Sequence, residues 1–560
     1  MRARIALLSL AALTVSADAL ACGGFFCDNQ ARPIDQAGER IVFALDQASH
    51  TVEMHAQITY TGTAEEFAWI LPVPQPPDLF LSTDELFTVL GRNTAPIFQL
   101  QRVFEDGCDT PNSGGGGGVD DSSDTGATGG GVIVFSESTL GPYDTVVLQG
   151  DTAQHVLDWL GEHDYNIPAN VGPALAPYVA SESWFVALRL RKDKTTGDLA
   201  PIGLTYDADQ PVIPLVLTSI AAAPDMPLVP YVFSSGRAVP DNYLHVVIDD
   251  LAIDWFNNGT NYPAVVSLAA DAAGGQAFAT DFAGSPTVMD GQLYFDGRFD
   301  LPALRQLTLR SAFLQAILDQ GFTLDTRLLG LLDSFIPGAR DALSAGQDTG
   351  SSGFIDPGID LCGIDPCPPL VPGPIVDALD EQIVTPLRRA EELMTSYDWV
   401  TRLTSSMSAA EMTVDPRFTI NPTMDEVAQT RTAVLTMPCE GGDLLGRLKV
   451  PDGRELDVPS QAWFDAHGMT QDEWFAPFLG YPATRIEQTS ADAPPVTLVD
   501  RGADIDGWIR SRNALLGASS GTGGTNGTCG CATGGLTGAF APGLLIVAGM
   551  TLRRRRRDRA

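Results

Sequence analysis

TVEMHAQITY, Thr51 to Tyr60, sets Val52, Met54, Ala56, Ile58 and Tyr60 in strict alternation with Thr51, Glu53, His55, Gln57 and Thr59. A period of two marks a strand with one buried and one wet face, because successive side chains leave a pleated ribbon on opposite sides. Upstream, RIVFALD (Arg40 to Asp46) reads as its partner strand, and Gln47 to His50 supplies the hairpin turn. EFAWILPVPQPP (Glu66 to Pro77) reads as a third strand whose terminal prolines stop pairing and protect an edge. GVIVFSE, YDTVVLQ, WFVALRLRK (Trp184 to Lys192), PVIPLVLTSI (Pro211 to Ile220) and LVPYVFSS (Leu228 to Ser235) are strand-like as well. Strands outnumber helices, so the expected class is α+β with mainly antiparallel sheet and a few amphipathic helices.

Four stretches carry helical signals. Asp151 with Gln154 forms a capping box ahead of Val156, Leu157 and Leu160, with Trp159 at the border of that face. A longer helix is expected from Asp300, with Pro302 just inside, through Leu304, Leu307, Leu314, Ile317 and Leu318 to Gly321. Ile375 to Tyr397 is helical, and Ser408 with Glu411 makes a second capping box.

The two ends look like addresses. Arg2 and Arg4 precede the apolar run Ile5 to Val15, and Ala19 and Ala21 make an A-x-A cleavage site before Cys22, the pattern of a secretory signal. At the other end a Gly/Thr tract leads to Cys529 and Cys531, an apolar run Leu536 to Leu552, and Arg553, Arg554, Arg555, Arg556 and Arg557. The arginines are expected to stay cytoplasmic while the body is exported. The partition that follows is 1–21 signal peptide, 22–112 β-rich, 113–131 Gly/Ser/Asp-rich insertion and 132–343 central α+β. After it come the 344–374 Gly/Pro/Cys loop, a 375–512 mixed region, the 513–535 linker, a 536–552 transmembrane sorting helix and the 553–560 basic end.

The two ends hold eight of the 34 basic residues and two of the 70 acidic ones, so the body between them carries about −42. Such a body repels nucleic acid and anionic lipid, which excludes a nucleic-acid function. Six body cysteines, Cys22, Cys27, Cys108, Cys362, Cys367 and Cys439, allow 15 pairings. An oxidising compartment favours disulfides over a four-cysteine zinc site, and the expected pairs are Cys22 with Cys27, Cys362 with Cys367, and Cys108 with Cys439. A lipid on Cys22 competes with the first bridge, although Ala19 stands where a lipobox usually has leucine.

No motif spells out a reaction. GASSG (Gly517 to Gly521) fits G-x-S-x-G around Ser519, but it lies in a flexible tract instead of a strand-to-helix elbow. The six histidines, His50, His55, His155, His163, His245 and His467, form no H-E-x-x-H or H-x-H pair and read as solvated or singly bonded. Asp207 and Asp209, Asp249 and Asp250, Asp356 and Asp360, and Asp504 and Asp506 sit in turn-like loops without a full calcium-loop pattern. No cofactor is expected beyond a structural calcium ion that such carboxylates admit.

Several stretches together resemble domain of unknown function 2330, a family of exported bacterial proteins: ACGGFFC, FAWILPVP, GPYDTVVL with LDWL, WFVALRLR, PVIPLVLTSI with YVFSSGRAVPDNY, and TRLTSSMSAAEMTVDPRF. The resemblance runs from about Cys22 to Met437 and transfers no catalytic residue. The tail resembles the MYXO-CTERM sorting signal. That resemblance implies the secretion machinery and a tail-processing membrane protease as partners, processing or lipidation at Cys529 or Cys531, and delivery to the cell surface or a periplasm-facing anchor. The preferred function is non-catalytic binding or envelope architecture. The alternative is an exported hydrolase whose residues are dispersed along the chain and assemble only in the fold.

Overall fold

The computed structural model describes residues 25–27, 35–61, 67–105, 133–163, 171–190, 200–220, 222–348, 355, 361, 368–439 and 442–519. The signal segment, the 113–131 insertion and the sorting tail lie outside them, as do Cys22, Cys108, Cys362, Cys367, Cys529 and Cys531. No helix among the described residues is long and apolar enough to cross a membrane.

The hairpin read from the sequence is present: Asp35–Asp46 pairs antiparallel with Thr51–Thr61, with Val42 opposite His55. It sits inside a ten-stranded sheet that takes its strands from residues 35–81, 202–284 and 399–500. Two of its pairings are parallel, Asp35–Asp46 with Met226–Ser234 and Leu244–Ile248 with Ala277–Gly284; the rest are antiparallel. Ile41, Phe43 and Leu45 pack with Val52, Met54 and Ala56 against a second, five-stranded sheet that contributes Trp69, Leu71, Val147 and Val186. The other face of the same strand, Val42 and Ala44, packs under helices that bring Leu86, Phe87, Leu328 and Met394. A strand apolar on both faces is a central one, which explains why RIVFALD is continuous where TVEMHAQITY alternates. Helices Ala153–Glu162 and Val171–Ala180 cover the outer face of the five-stranded sheet. A third core joins Val246 and Ile248 to a four-stranded sheet and to helices Gln461–His467, Gln471–Leu479 and Gly502–Ser519.

Several local expectations are corrected. The polar face of the Thr51–Thr61 strand is not wet: His55 is 1% and Gln57 5% exposed. Helices cover it; Gln57 Nε2 donates to Asp84 at 2.7 Å, while Gln57 Oε1 has no partner among the described residues. Helix Ala153–Glu162 is capped by Thr152, whose hydroxyl accepts from the His155 amide at 3.2 Å, and Trp159 is buried instead of marginal. The long helix from Asp300 is two helices, Leu301–Leu304 and Arg310–Asp319. Asp300 does cap the first, but the Thr308 carbonyl turns away to accept from the Leu370 amide at 2.8 Å. Pro211 to Ile220 is not a strand; Pro214 starts a helical turn, Leu215–Thr218, whose Val216 amide donates to Asp415. Glu411 reaches back to the Ser408 amide, yet the Ser408 hydroxyl bonds Asp225 and no helix follows. The expected helical stretch runs from Pro372 to Ser396, with a wide π turn at Asp380–Val384 just before Pro386, which lacks the amide a regular turn would use.

Candidate functional site

A cleft of about 1410 Å³ opens beside the end of the large sheet. Its floor is the Leu244–Ile248 strand with its neighbours Ala277–Gly284 and Ala483–Gln488; its walls include Thr430 to Thr432, the Pro451 to Arg454 turn and the start of helix Gly502–Ser519.

Three strands deliver three side chains to one point. His245 lies directly opposite Glu487 in the antiparallel pairing, so both side chains share a face. Thr280 stands on the strand at the other side of His245, at a register shift between Thr280 and Phe282 that marks a bulge. Bulges re-aim side chains, and they recur beside active sites. His245 Nδ1 is 3.3 Å from Glu487 Oε2, and His245 Nε2 is 3.0 Å from Thr280 Oγ1. Arg237, on the segment leading into Ala238–Pro240, donates from Nη2 to the same Thr280 Oγ1 at 3.1 Å and from Nη1 to the Asp425 carbonyl at 3.0 Å. Its Nε–H is buried and has no acceptor among the described residues.

The charges in this network fix the protons. Hydrogen bonds from His245 and then Arg485, against the cost of burial, hold the Glu487 carboxyl down at about 2. Burial, reinforced by Arg237, pushes His245 below its ordinary value, so it is neutral at pH 7. An ionised Glu487 only accepts, so the ring proton sits on Nδ1, Nε2 is left as an acceptor, and Thr280 O–H must donate to it. Arg237 in turn donates to the Thr280 oxygen. Burial lowers its pKa to about 10, which leaves it charged.

Beside this network the cleft carries a second group. Asp250 Oδ2 accepts from the Asp452 amide at 3.1 Å, and Arg454 pairs with Asp452 and with Asp506, the latter at 3.0 Å. Burial, then repulsion from Asp452, raises Asp250 to about 6; burial raises neighbouring Asp249 to about 7, and its Oδ2 has no partner among the described residues. Behind the floor, Asp281 accepts from the Tyr262 hydroxyl at 2.5 Å and from Arg402 Nε at 3.0 Å, which ties the bulge to the core.

The sequence-predicted residues fall out as follows. His50, His155, His163 and His467 each make a single polar side-chain contact at or near the surface, and His163 and His467 also stack on Trp159 and Trp463. His55 and His245 correct that reading, since both are buried and bonded through both ring nitrogens. Ser519 ends an 18-residue helix, so the G-x-S-x-G match has no elbow. Asp209 bonds His50 and Asp506 bonds Arg454; Asp356 and Asp360 lie outside the described residues. Among the described residues no group of three or more His, Cys, Asp or Glu is placed to hold a metal ion. Cys439 Sγ lies 3.9 Å from the carbonyl of Glu105, three residues before Cys108. Cys27 ends a short strand, Phe25–Cys27, paired with Phe67 to Trp69. Sequence reasoning missed Thr280, Glu487 and Arg237 altogether. The available signal was polar residues within apolar strands, Thr280 and Asp281 in AFATDFAG and His245 in LHVVI.

A family of bacterial proteins described as uncharacterized and conserved (DUF2330) matches residues 16–336, and the chain belongs to it. Arg237, His245 and Thr280 fall inside the match; Glu487 and the segment from Thr401 to Phe418 fall outside it. No curated protein matches the chain. Among solved structures it is similar to the crystal structure of baculovirus P35, at 14% identity over 39% of this chain and 75% of that one with a TM-score of 0.21. So slight a likeness assigns neither fold nor role.

Proposed function

We propose that this member of the family is an exported protein of the bacterial envelope, tethered or displayed by its C-terminal tail, and that it binds short peptides in the cleft. The cleft carries the reading. Four guanidiniums and six carboxylates line it, Arg237 and Arg485 among the first and Asp452 and Asp506 among the second, while no Phe, Tyr or Trp among the described residues does. Both charge signs side by side suit a zwitterionic ligand, and the lack of an aromatic platform disfavours stacked bases. Export is supported by the signal and tail patterns of the sequence, and by Cys439 lying beside the strand end that leads to Cys108.

Binding is tested by thermal shift and equilibrium dialysis with a mixed tripeptide library, against neutral sugars and mononucleotides. Peptides are expected to raise the melting temperature; no peptide effect, or an equal effect of sugars, overturns the reading. Export is tested by protease shaving of intact cells, where digestion of the body supports surface display and resistance with release from spheroplasts supports a periplasmic tether. A Cys108–Cys439 bridge predicts that Cys439→Ser frees one extra thiol in denatured, non-reduced protein. A thiol count that falls by one removes the bridge.

A further inference from the structure

The geometry points to covalent chemistry in the same cleft: Thr280 is a nucleophile for acyl esters, His245 its general base, Glu487 the group that orients His245, and Arg237 the donor for the developing oxyanion. This rests on the reading that the cleft admits a polar ligand. Four observations carry it. Thr280 Oγ1 lies 3.0 Å from His245 Nε2, the nitrogen that the ionised Glu487 leaves as the acceptor. The other ring nitrogen faces an anion at 3.3 Å, which fixes the tautomer a base requires. A buried guanidinium touches the attacking oxygen and stabilises it as charge develops. Finally, Nε–H and Nη2–H lie on one edge of a planar fork, so with Nη2 on Thr280 Oγ1 the unfilled Nε–H points beside the attacking atom, where a carbonyl oxygen of the substrate would sit.

The step balances without a cofactor. Thr280 Oγ1 gives its proton to His245 Nε2 and bonds the ester carbonyl carbon, whose oxygen takes the negative charge beside Arg237. Collapse breaks the bond to the alkoxy group, which leaves as the alcohol with the proton from His245. Water, losing a proton to the same nitrogen, then opens the acyl-threonine and releases the acid. Ester and water become acid and alcohol, and the side chains return to their starting state. A substrate with charged groups flanking the ester matches the mixed lining of the cleft.

The test is covalent trapping of the purified full-length chain with an alkyl fluorophosphonate, in which Oγ1–P forms and fluoride leaves, read by peptide mass mapping. One adduct on Thr280 is expected. Labelling should fall at least tenfold in His245→Gln, persist in Thr280→Ser and vanish in Thr280→Val, with melting curves recorded for each. The wild-type labelling rate should also decline in acid, at a pH below the ordinary histidine range, when His245 takes a proton. An adduct absent from Thr280 in wild type and Thr280→Ser, or a rate indifferent to pH and to His245, overturns the nucleophile. A peptide-induced melting shift without any adduct leaves binding standing and removes the chemistry; an adduct without a shift removes the peptide and keeps the nucleophile.

Discussion

The molecule builds the hydroxyl–histidine–carboxylate arrangement twice, and the two copies differ in what surrounds them. In the first, His55 Nδ1 is 2.7 Å from Ser82 Oγ and its Nε2 is 3.0 Å from Glu53 Oε1. Arg389 clamps Glu53 through both oxygens, at 3.1 and 2.6 Å, and lies 3.4 Å over the Phe80 ring, which itself meets His55 edge-on. In the second, Thr280, His245 and Glu487 have comparable distances but line the 1410 Å³ cleft. At the hydroxyl–histidine end Ser82 and His55 are sealed at 1% exposure each, with only Glu53 behind them reaching solvent at 19%, whereas Thr280 keeps 8% and faces the cleft. The first joins the hairpin to the helix Thr385–Ser396 and needs no substrate to account for it; the second has an open side. Hydrogen-bond geometry alone does not define a site, and access separates the two.

The largest effect that distinguishes them is on stability. His55→Ala leaves the Ser82 hydroxyl buried without its partner and opens a cavity under Phe80, so it should cost about 3 kcal/mol in urea unfolding. His245→Ala lets cleft water reach Thr280 and Glu487 and should cost about 1 kcal/mol. Equal costs would break the distinction.

A middle-sized effect is on pH dependence. Burial pushes the Glu53 carboxyl up, but bonds from His55 and Arg389 outweigh it and hold it at about 2; Glu487 is held equally low. Both contribute stability above the unfolded value near 4.5, and that stability is lost as pH falls from 4.5 to 2. Asp249 has the opposite sign. Raised to about 7, it is neutral in the fold and ionised in the unfolded chain between pH 4 and 7, so it costs stability as pH rises through that window. Asp249→Asn should therefore flatten the decline between pH 4 and 7. A decline parallel to that of wild type would contradict the assignment.

The smallest stability effect belongs to the cleft rim. Arg485 is 44% exposed, and its bond to Glu487 at 2.7 Å is worth less than about 1 kcal/mol to the fold. Arg485→Ala should leave the melting curve nearly unchanged while weakening peptide binding about tenfold, measured by dialysis. Unchanged affinity would place the ligand elsewhere.

Much of the scaffold was legible because it rests on local periodicity. The alternation from Thr51 and the apolar run from Ile41 named the hairpin and its central strand, and Pro302 with Asp300 named a helix start. What failed was context. Nothing within TVEMHAQITY says that a helix carrying Arg389, more than 300 residues away, will cover its polar face. Pro211 and Pro214 sit in a β-branched run that reads as strand until Asp415 takes the Val216 amide. The cleft was illegible for the same reason. Arg237, His245, Thr280 and Glu487 span 250 residues, and only the adjacency of three strands and one loop brings them together. His245 and Glu487 in particular owe their meeting to a pairing between distant segments, one inside the family match and one outside it.

Histidine ring nitrogen signals, with only six histidines in the chain, test the central claim most directly. In protein labelled with ¹⁵N on the imidazoles and observed at pH 7, His245 should carry its proton on Nδ1, and its bare Nε2 signal should move on adding a binding tripeptide while both signals of His55 stay fixed. A His245 protonated on Nε2, or a peptide that moves His55 as much as His245, would contradict the account of one sealed and one open network.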